Sequence, residues 1–532
     1  MILYNVSILL LALPLMLLST TPTSVRSARI LCVFPTPAYS HHSVFKAYVH
    51  LLASKGHQIV VVKSIDRITY ADQQEYNITE INASLGDSAY MQLIKSSPVL
   101  KKRGVVADSS TVTATNYKTL LYMMRDQFNT PEVKHFIATR HQQHFDLIVT
   151  EAFLDYSLVF AHLFSGGIAG DVPVIQISSG YGVPENFETT GAVSRHPVFY
   201  PNMWRSKFGT MSTWQMINEI YTELRLQNEF NLLAEEQTKM LRLQFGVDTP
   251  NVYELRSKVK LLFVNVHPLF DNNRPVPPNV QYLGQLHLKA PKQKLAKRKI
   301  NAGVEKFLNS STQGAVYVSF GSGVLTADID DEFVHMLVDT FRSLPYNVLW
   351  KYEGDYNVDD LPANVYVQKW YDQMEVLKHK NIKAFVTQGG VQSVDEAIDT
   401  LVPMVGVPMM GDQAYNTYKL AELGVGTVVD TETVSASQLT QAIKNAVESP
   451  MIRKNLRDLR HLMRHRAMSV EHTAVWYTER VIEQKNFSKS LYMNTKAANT
   501  SLSDYVMSYI FVPLLCASIM SHFQHLIRLS FV

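Results

Sequence analysis

Cysteine is nearly absent from this chain, with two residues, Cys32 and Cys516, in 532. A fold held by disulfides is thereby excluded, and a chain of this length builds cores large enough to do without them. Histidine and cysteine spacings show no zinc pattern, so no metal is expected. Charge of one sign is also scarce. The formal net charge is +3, and 18% of residues are charged, which argues against a nucleic-acid partner. The one dense basic run, Lys289 to Lys299 (KAPKQKLAKRK), reads as a solvated linker. No internal repeat or low-complexity segment stands out. A long apolar run is missing at the C-terminus as well. Tyr505 to Met520 spans 16 residues and is broken by Pro513, short of the ~20 that cross a bilayer. The tail suits a degenerate anchor or a weakly membrane-associating segment, and a soluble secreted product is the main expectation.

What is present is an alternation of short apolar runs and helical patterns. RILCVF (29–34), HQIVVV (57–62), FDLIVT (145–150), VPVIQIS (172–178) and VKLLFVNV (259–266) read as strands buried on both faces. A second series follows at 314–320, 346–352, 364–370, 382–387, 402–407 and 424–430, with helical patterns near 43–55, 331–343, 392–400, 413–423 and 436–448. Alternation of this kind predicts an α/β fold of two doubly wound, Rossmann-like domains, and the length suits two. The boundaries are drawn at 28–270 and 301–455, with a turn-rich linker at 271–300. At the N-terminus, Ile8 to Leu18 is an apolar core of secretory-signal length, and Val25-Arg26-Ser27 offers a cleavage site after residue 27. The usual positive residues before the apolar core are missing. Sequons at Asn77, Asn82, Asn309 and Asn486 fit the secretory route, and a secreted protein is expected.

The densest chemistry lies between Trp370 and Gln413, WYDQMEVLKHKNIKAFVTQGGVQSVDEAIDTLVPMVGVPMMGDQ. Trp370 and Gln373 place an aromatic plate beside an amide, which suits a flat base. The strand IKAFVT runs into Gln388-Gly389-Gly390 and then a helix, so backbone N–H groups and the positive helix end face a phosphate. Gln392 and Ser393 stand at that helix start, Glu396 follows one turn in as an acceptor for ribose hydroxyls, and Asp412-Gln413 presents a carboxylate and an amide to further hydroxyls. Taken singly, each has a plainer meaning. Ser393-x-x-Glu396 is a capping box, the glycine pair a turn, and Trp370 a core aromatic. Base, ribose, pyrophosphate and sugar matched in order favour a nucleotide sugar.

This block, at Phe385 to Gly390, Ser393, Glu396, Pro403, Pro408, Asp412 and Gln413, resembles the signature of the UDP-glycosyltransferase family. Gln388, MVGVPMMGDQAYNT and KHKNIKAFVTQGGVQS are most similar to its baculoviral ecdysteroid-glucosylating branch. The resemblance extends from about residue 29 to about 484 and implies the GT-B fold, with a helix at 456–484 crossing back to the first domain before a tail at 485–532. It also implies UDP-glucose or UDP-galactose as donor, an ecdysteroid or other lipophilic alcohol as acceptor, inversion at the sugar, and no cofactor.

Glycosyl transfer to an alcohol needs a base, and ligands of open α/β sheets lie at the strands' carboxyl ends. The first strand ends in FPTPAYSHH, and FDLIVT is followed at once by Glu151. His41 fits the family's base in its P-x-P-x-x-S-H context, with His42 as nearest rival. Glu151 stands where the family usually has Asp. Donors for the departing phosphate are sought in Gly389, Gly390, Gln392, Gln388 (most of the family has His there) and Ser322 of the loop SFGSG. Asp328-Ile329-Asp330 spells a D-x-D metal motif, yet it precedes a helical pattern and is better read as a cap. Three other readings stay open: a broad detoxifying enzyme of this fold, a non-catalytic binder of a hydrophobic ligand, and a UDP-sugar 2-epimerase, which shares the fold but needs no acceptor pocket.

Overall fold

The computed structural model describes residues 27–72, 74–86, 92, 114–166, 171–203, 205, 208–289, 300–354, 361–485, 495–505 and 507–530. Within these, the first half builds a parallel sheet from β1 (Arg29–Phe34), β2 (Gln58–Lys63), β3 (Ile78–Asn82), β4 (Leu147–Glu151), β5 (Val174–Ser178), β6 (Val259–Val264) and β7 (Val280–Tyr282), ordered β3-β2-β1-β4-β5-β6-β7. The second half builds another from β8 (Ala315–Ser319), β9 (Asn347–Lys351), β10 (Val365–Gln368), β11 (Ile382–Thr387), β12 (Met404–Gly406) and β13 (Gly426–Val428), ordered β10-β9-β8-β11-β12-β13. Central strands β4, β5 and β8 are buried along their whole length, as unbroken apolar runs require when helices cover both faces.

Each expected run forms its strand, most of them trimmed by one to three residues at an end. Strands β3 and β7 were not expected. They lie at the sheet's two edges, and ITEIN and VQY are only partly buried, so neither carries the continuous apolar signal.

The helices that matter to the site are α1 (Tyr39–Ala53), α2 (Thr213–Phe245), α3 (Asp331–Ser343), α4 (Val391–Thr400), α5 (Gln413–Glu422), α6 (Ala436–Glu448), α7 (Pro450–Arg464), α8 (Val470–Gln484) and α9 (Ser508–Ser530). The crossing expected as one helix over 456–484 is made by two. The chain leaves helical geometry at His465, and Ser469 caps α8 by accepting the His472 N–H. On one side of this break Leu456, Leu459 and Met463 pack with Val394 and Ile398 of α4. On the other, Val470, Ala474 and Val475 join Val44 and Tyr48 of α1. Two differently placed cores fix two helix directions, so one straight helix could not serve both.

One apolar cluster holds Tyr181, Phe187 and Leu262 together with Phe385, Val391 and Tyr415, so the two halves share a core at their seam. Cys32 is buried, Cys516 is exposed, and both are free. Helix α9 contains Pro513, and among the described residues no helix is long and apolar enough to cross a membrane. The expected signal at 1–27 lies outside the described residues except for Ser27; Asn486 and 290–299 of the basic run lie outside them too.

Candidate active site

In both sheets the strand order reverses at one place, between β1 and β4 and between β8 and β11. Crossovers leave in opposite directions there, which opens a crevice at the carboxyl ends. The first switch point brings together the loop after β1 and the last residue of β4, because Val33 pairs with Thr150 in register. His41, in the first turn of α1, thereby meets Glu151: Nδ1 and Oε1 are 2.6 Å apart. The other carboxylate oxygen accepts the Thr36 N–H at 3.0 Å. The Glu151 side chain is 2% exposed and that of His41 25%, so a buried, fixed carboxylate orients a partly exposed imidazole. The extra methylene of Glu over Asp is accommodated.

His42 is not a rival. It is fully buried, with Nδ1 2.7 Å from the Tyr70 hydroxyl and Nε2 3.1 Å from Ser64 Oγ. Burial, with the nearby His41, pushes it down to about 3, which keeps it neutral and structural.

The second switch point joins the loop after β8 to the loop after β11, where Thr387 pairs with Ser319. Gly321 has φ +76°, and a Cβ on it would collide with the Gln388 amide. Ser322 follows in the same turn. Gln388 is buried, and its Oε1 lacks a hydrogen-bond partner. Gly389 has φ +88° and packs against Thr417, so both glycines are demanded by backbone and space. Gly390 is the N-cap of α4, and no side chain caps this helix. Its first N–H groups therefore remain for an anion. The capping-box reading of Ser393-x-x-Glu396 is overturned, because both residues lie inside the helix.

Gln373 Nε2 donates to Ser393 Oγ at 2.9 Å and to Glu396 Oε2 at 2.6 Å. That uses both amide hydrogens and leaves the carbonyl of Gln373 as its free function. Burial raises the Glu396 carboxyl to about 7. Trp370 is half exposed and meets Tyr39 of the first domain edge-on at 5.4 Å. Gln392 was expected among the phosphate donors, but its side chain crosses the seam to the Ser179 carbonyl at 2.9 Å. Only its backbone N–H is placed for an anion. Gln413 Oε1 accepts the N–H groups of Met409 and Met410 at 3.0 and 2.9 Å, so its amide hydrogens are what remains for a hydroxyl. Asp412 is raised to about 6 by burial, against a lowering hydrogen bond from Asn416.

Several site residues escaped the sequence reading. Lys351, buried at the end of β9, donates to the Gly321 carbonyl at 3.0 Å, pairs with Glu353 and lies 5.5 Å from the Trp370 ring centre. A lysine closing an apolar strand was a signal within reach. Asn416 donates to the Gly389 carbonyl and accepts from the Tyr181 hydroxyl, both at 2.8 Å; nothing local marks it. Asp330 accepts the Phe333 N–H at 2.9 Å and caps α3, as D-x-D before a helix suggested. Among the described residues no three His, Cys, Asp or Glu side chains gather as a metal set.

The family model for UDP-glucoronosyl and UDP-glucosyl transferase matches residues 29–499. The chain is 53% identical to the ecdysteroid UDP-glucosyltransferase of Mamestra brassicae nuclear polyhedrosis virus, over 95% of this chain and 94% of that one. It is 49% identical to the protein of the same name from Lymantria dispar multicapsid nuclear polyhedrosis virus, over 95% and 97%. The solved glycotransferase of kitacinnamycin superposes with a TM-score of 0.56 at 18% identity, over 86% of this chain and 99% of that one. This last likeness concerns the GT-B fold alone.

Proposed function

The chain belongs to the UDP-glucoronosyl and UDP-glucosyl transferase family and is a UDP-dependent glycosyltransferase, and on that premise we propose that it moves glucose from UDP-glucose to a hydroxyl of an ecdysteroid, with inversion. One observation carries the mechanism: the His41 imidazole, past the end of the first strand, is held by the buried Glu151 carboxylate at 2.6 Å. Nε2 of His41 takes the acceptor's hydroxyl proton while the oxygen attacks the anomeric carbon from the side opposite UDP. The bond to the β-phosphate oxygen breaks, and its electron pair leaves with UDP. Glu151 holds the ring tautomer and stabilises the imidazolium.

In this reading the negative charge growing on the leaving phosphate meets the uncapped start of α4, with Gly389, Gly390, the backbone N–H of Gln392, Gln388 and Ser322 around it. Trp370 faces the base, the Gln373 carbonyl is its acceptor, Glu396 takes ribose hydroxyls, and Asp412 with Gln413 holds the hexose. The names of the viral relatives support the acceptor. Attachment of glucose would make a lipophilic hormone polar and so inactivate it. The apolar residues 8–18 and the exposed sequons at Asn77 and Asn309 support a secreted glycoprotein.

The test is to incubate the purified chain with UDP-glucose or UDP-galactose and a panel of steroids and other alcohols. A β-glucoside of an ecdysteroid, identified by its anomeric proton coupling, is the expected product. Equal turnover of unrelated phenols would favour the broad detoxifying reading, and ligand binding without any glycoside the non-catalytic one.

A further inference from the structure

Behind the ribose-side carboxylate stands a histidine to which the reaction above gives no part. His287 lies in the short helical turn Leu286–Lys289, where the chain leaves the first sheet toward the second. Its side chain is 6% exposed; the ring is directed at the Gln392 backbone, but neither nitrogen makes a hydrogen bond of full geometry. Nε2 points at Glu396 Oε1 from 3.7 Å, just too far for a hydrogen bond. The other oxygen, Oε2, is already held by Gln373 at 2.6 Å. A buried ring so poorly hydrogen-bonded is costly, and its persistence 3.7 Å from a carboxylate calls for a reason.

The backbone around the ring is fixed on both sides. The Gln285 N–H donates to Asp395 Oδ2 of α4 at 3.2 Å, and the Leu286 N–H donates to Asn265 Oδ1 at 3.1 Å. The same turn packs against α1, which carries His41, and against α8. The Gln392 backbone, toward which the ring is directed, and Asp399 both belong to α4. The backbone is pinned at the seam, and only a small side-chain adjustment separates Nε2 from its acceptor.

We propose that His287 is a positioning residue for Glu396: when the donor's ribose occupies the site, Nε2–H closes onto Oε1 and fixes the carboxylate edge toward the hydroxyls. With Gln373 on Oε2 and His287 on Oε1, rotation of the carboxylate stops, and one lone pair on each oxygen stays for the ribose. This rests on the reading that Glu396 binds ribose, so the experiment separates the two.

UDP and 2′,3′-dideoxyuridine diphosphate are titrated calorimetrically into the full chain and into His287→Ala, His287→Gln and Glu396→Ala. His287→Ala should weaken UDP about tenfold, the low end for losing a hydrogen bond to a charged group, and leave the dideoxy analogue's affinity where it was. The donor KM should rise by a similar factor while kcat falls no more than about twofold. His287→Gln, whose Nε2 reaches the same place, should recover most of the loss. If Glu396→Ala does not erase a preference for UDP over the analogue, the ribose reading falls and the proposal with it. If Glu396 does discriminate, yet His287→Ala binds UDP as the parent does or loses both ligands equally, the proposal alone is overturned.

Discussion

His41 Nδ1 and Glu151 Oε1 stand 2.6 Å apart although 110 residues separate them in the chain. The contact exists because β1 and β4 are neighbours in register and both end at the same crevice. On the mechanism proposed above, a carboxylate so placed orients the imidazole and does not touch the substrate.

Removing the base should therefore cost more than removing its partner. His41→Ala is expected to lower kcat by about 10²–10⁴-fold, the usual range for a general base, with UDP affinity little changed. Glu151→Gln should fall between the two, and Glu151→Asp should keep more activity than Glu151→Gln. Steady-state rates with UDP-glucose and an ecdysteroid read this out. Full turnover by His41→Ala would remove the mechanism.

Gly321→Ala tests the phosphate end. The substitution adds left-handed strain of about 1–2 kcal/mol and drives a methyl group into the Gln388 amide. Loss of kcat/KM for UDP-glucose by at least about tenfold is expected, with the chain still folded by circular dichroism. If activity survives intact, Gln388 is not held where the leaving phosphate needs it.

Donor affinity should depend on pH through Glu396, which burial raises from 4.5 to about 7. Ribose hydroxyls donate to the ionised form, so binding of UDP-glucose strengthens as pH rises through about 7 and releases a proton below it. The sign for stability is opposite. A raised carboxyl stabilises the fold fully below about pH 4.5, and that contribution, about 3 kcal/mol, is lost as pH rises through about 7. Glu396→Gln should flatten both profiles. Calorimetry in buffers of different ionisation heat, with Tm against pH for the free chain, checks each arm, and unchanged slopes in the variant would assign the effect elsewhere.

Asn416 ties the two halves together, taking the Tyr181 hydroxyl and giving to the Gly389 carbonyl, both at 2.8 Å. Asn416→Ala leaves two buried groups unpaired and should cost about 2–4 kcal/mol. Urea unfolding measures it, and a double-mutant cycle with Tyr181→Phe isolates the part that crosses the seam. Strict additivity would mean that the contact does not couple the domains.

Much of this architecture was written locally. Strand β1 was legible because RILCVF must be buried on both faces, and α3 because Asp330 caps an amphipathic run. The Gln388-Gly389-Gly390 turn was legible because a strand entering a helix through glycines has few other uses. Edge strands β3 and β7 were not, since half-buried residues leave no continuous apolar run. The break at 465–469 was hidden because it answers to two separate cores and not to the residues beside it.

The sequence by itself determined the two parallel sheets, the Gln388-Gly389-Gly390 turn and the pairing of His41 with Glu151 as a candidate, because periodicity, strand ends and fixed spacings are properties of neighbouring residues. Only the tertiary structure decided between His41 and His42, turned the Gln392 side chain from the phosphate to Ser179, and set His287 behind Glu396. Those outcomes depend on which strands lie side by side and on how much water each group loses when two domains close. Neither quantity is fixed by any local stretch of the chain.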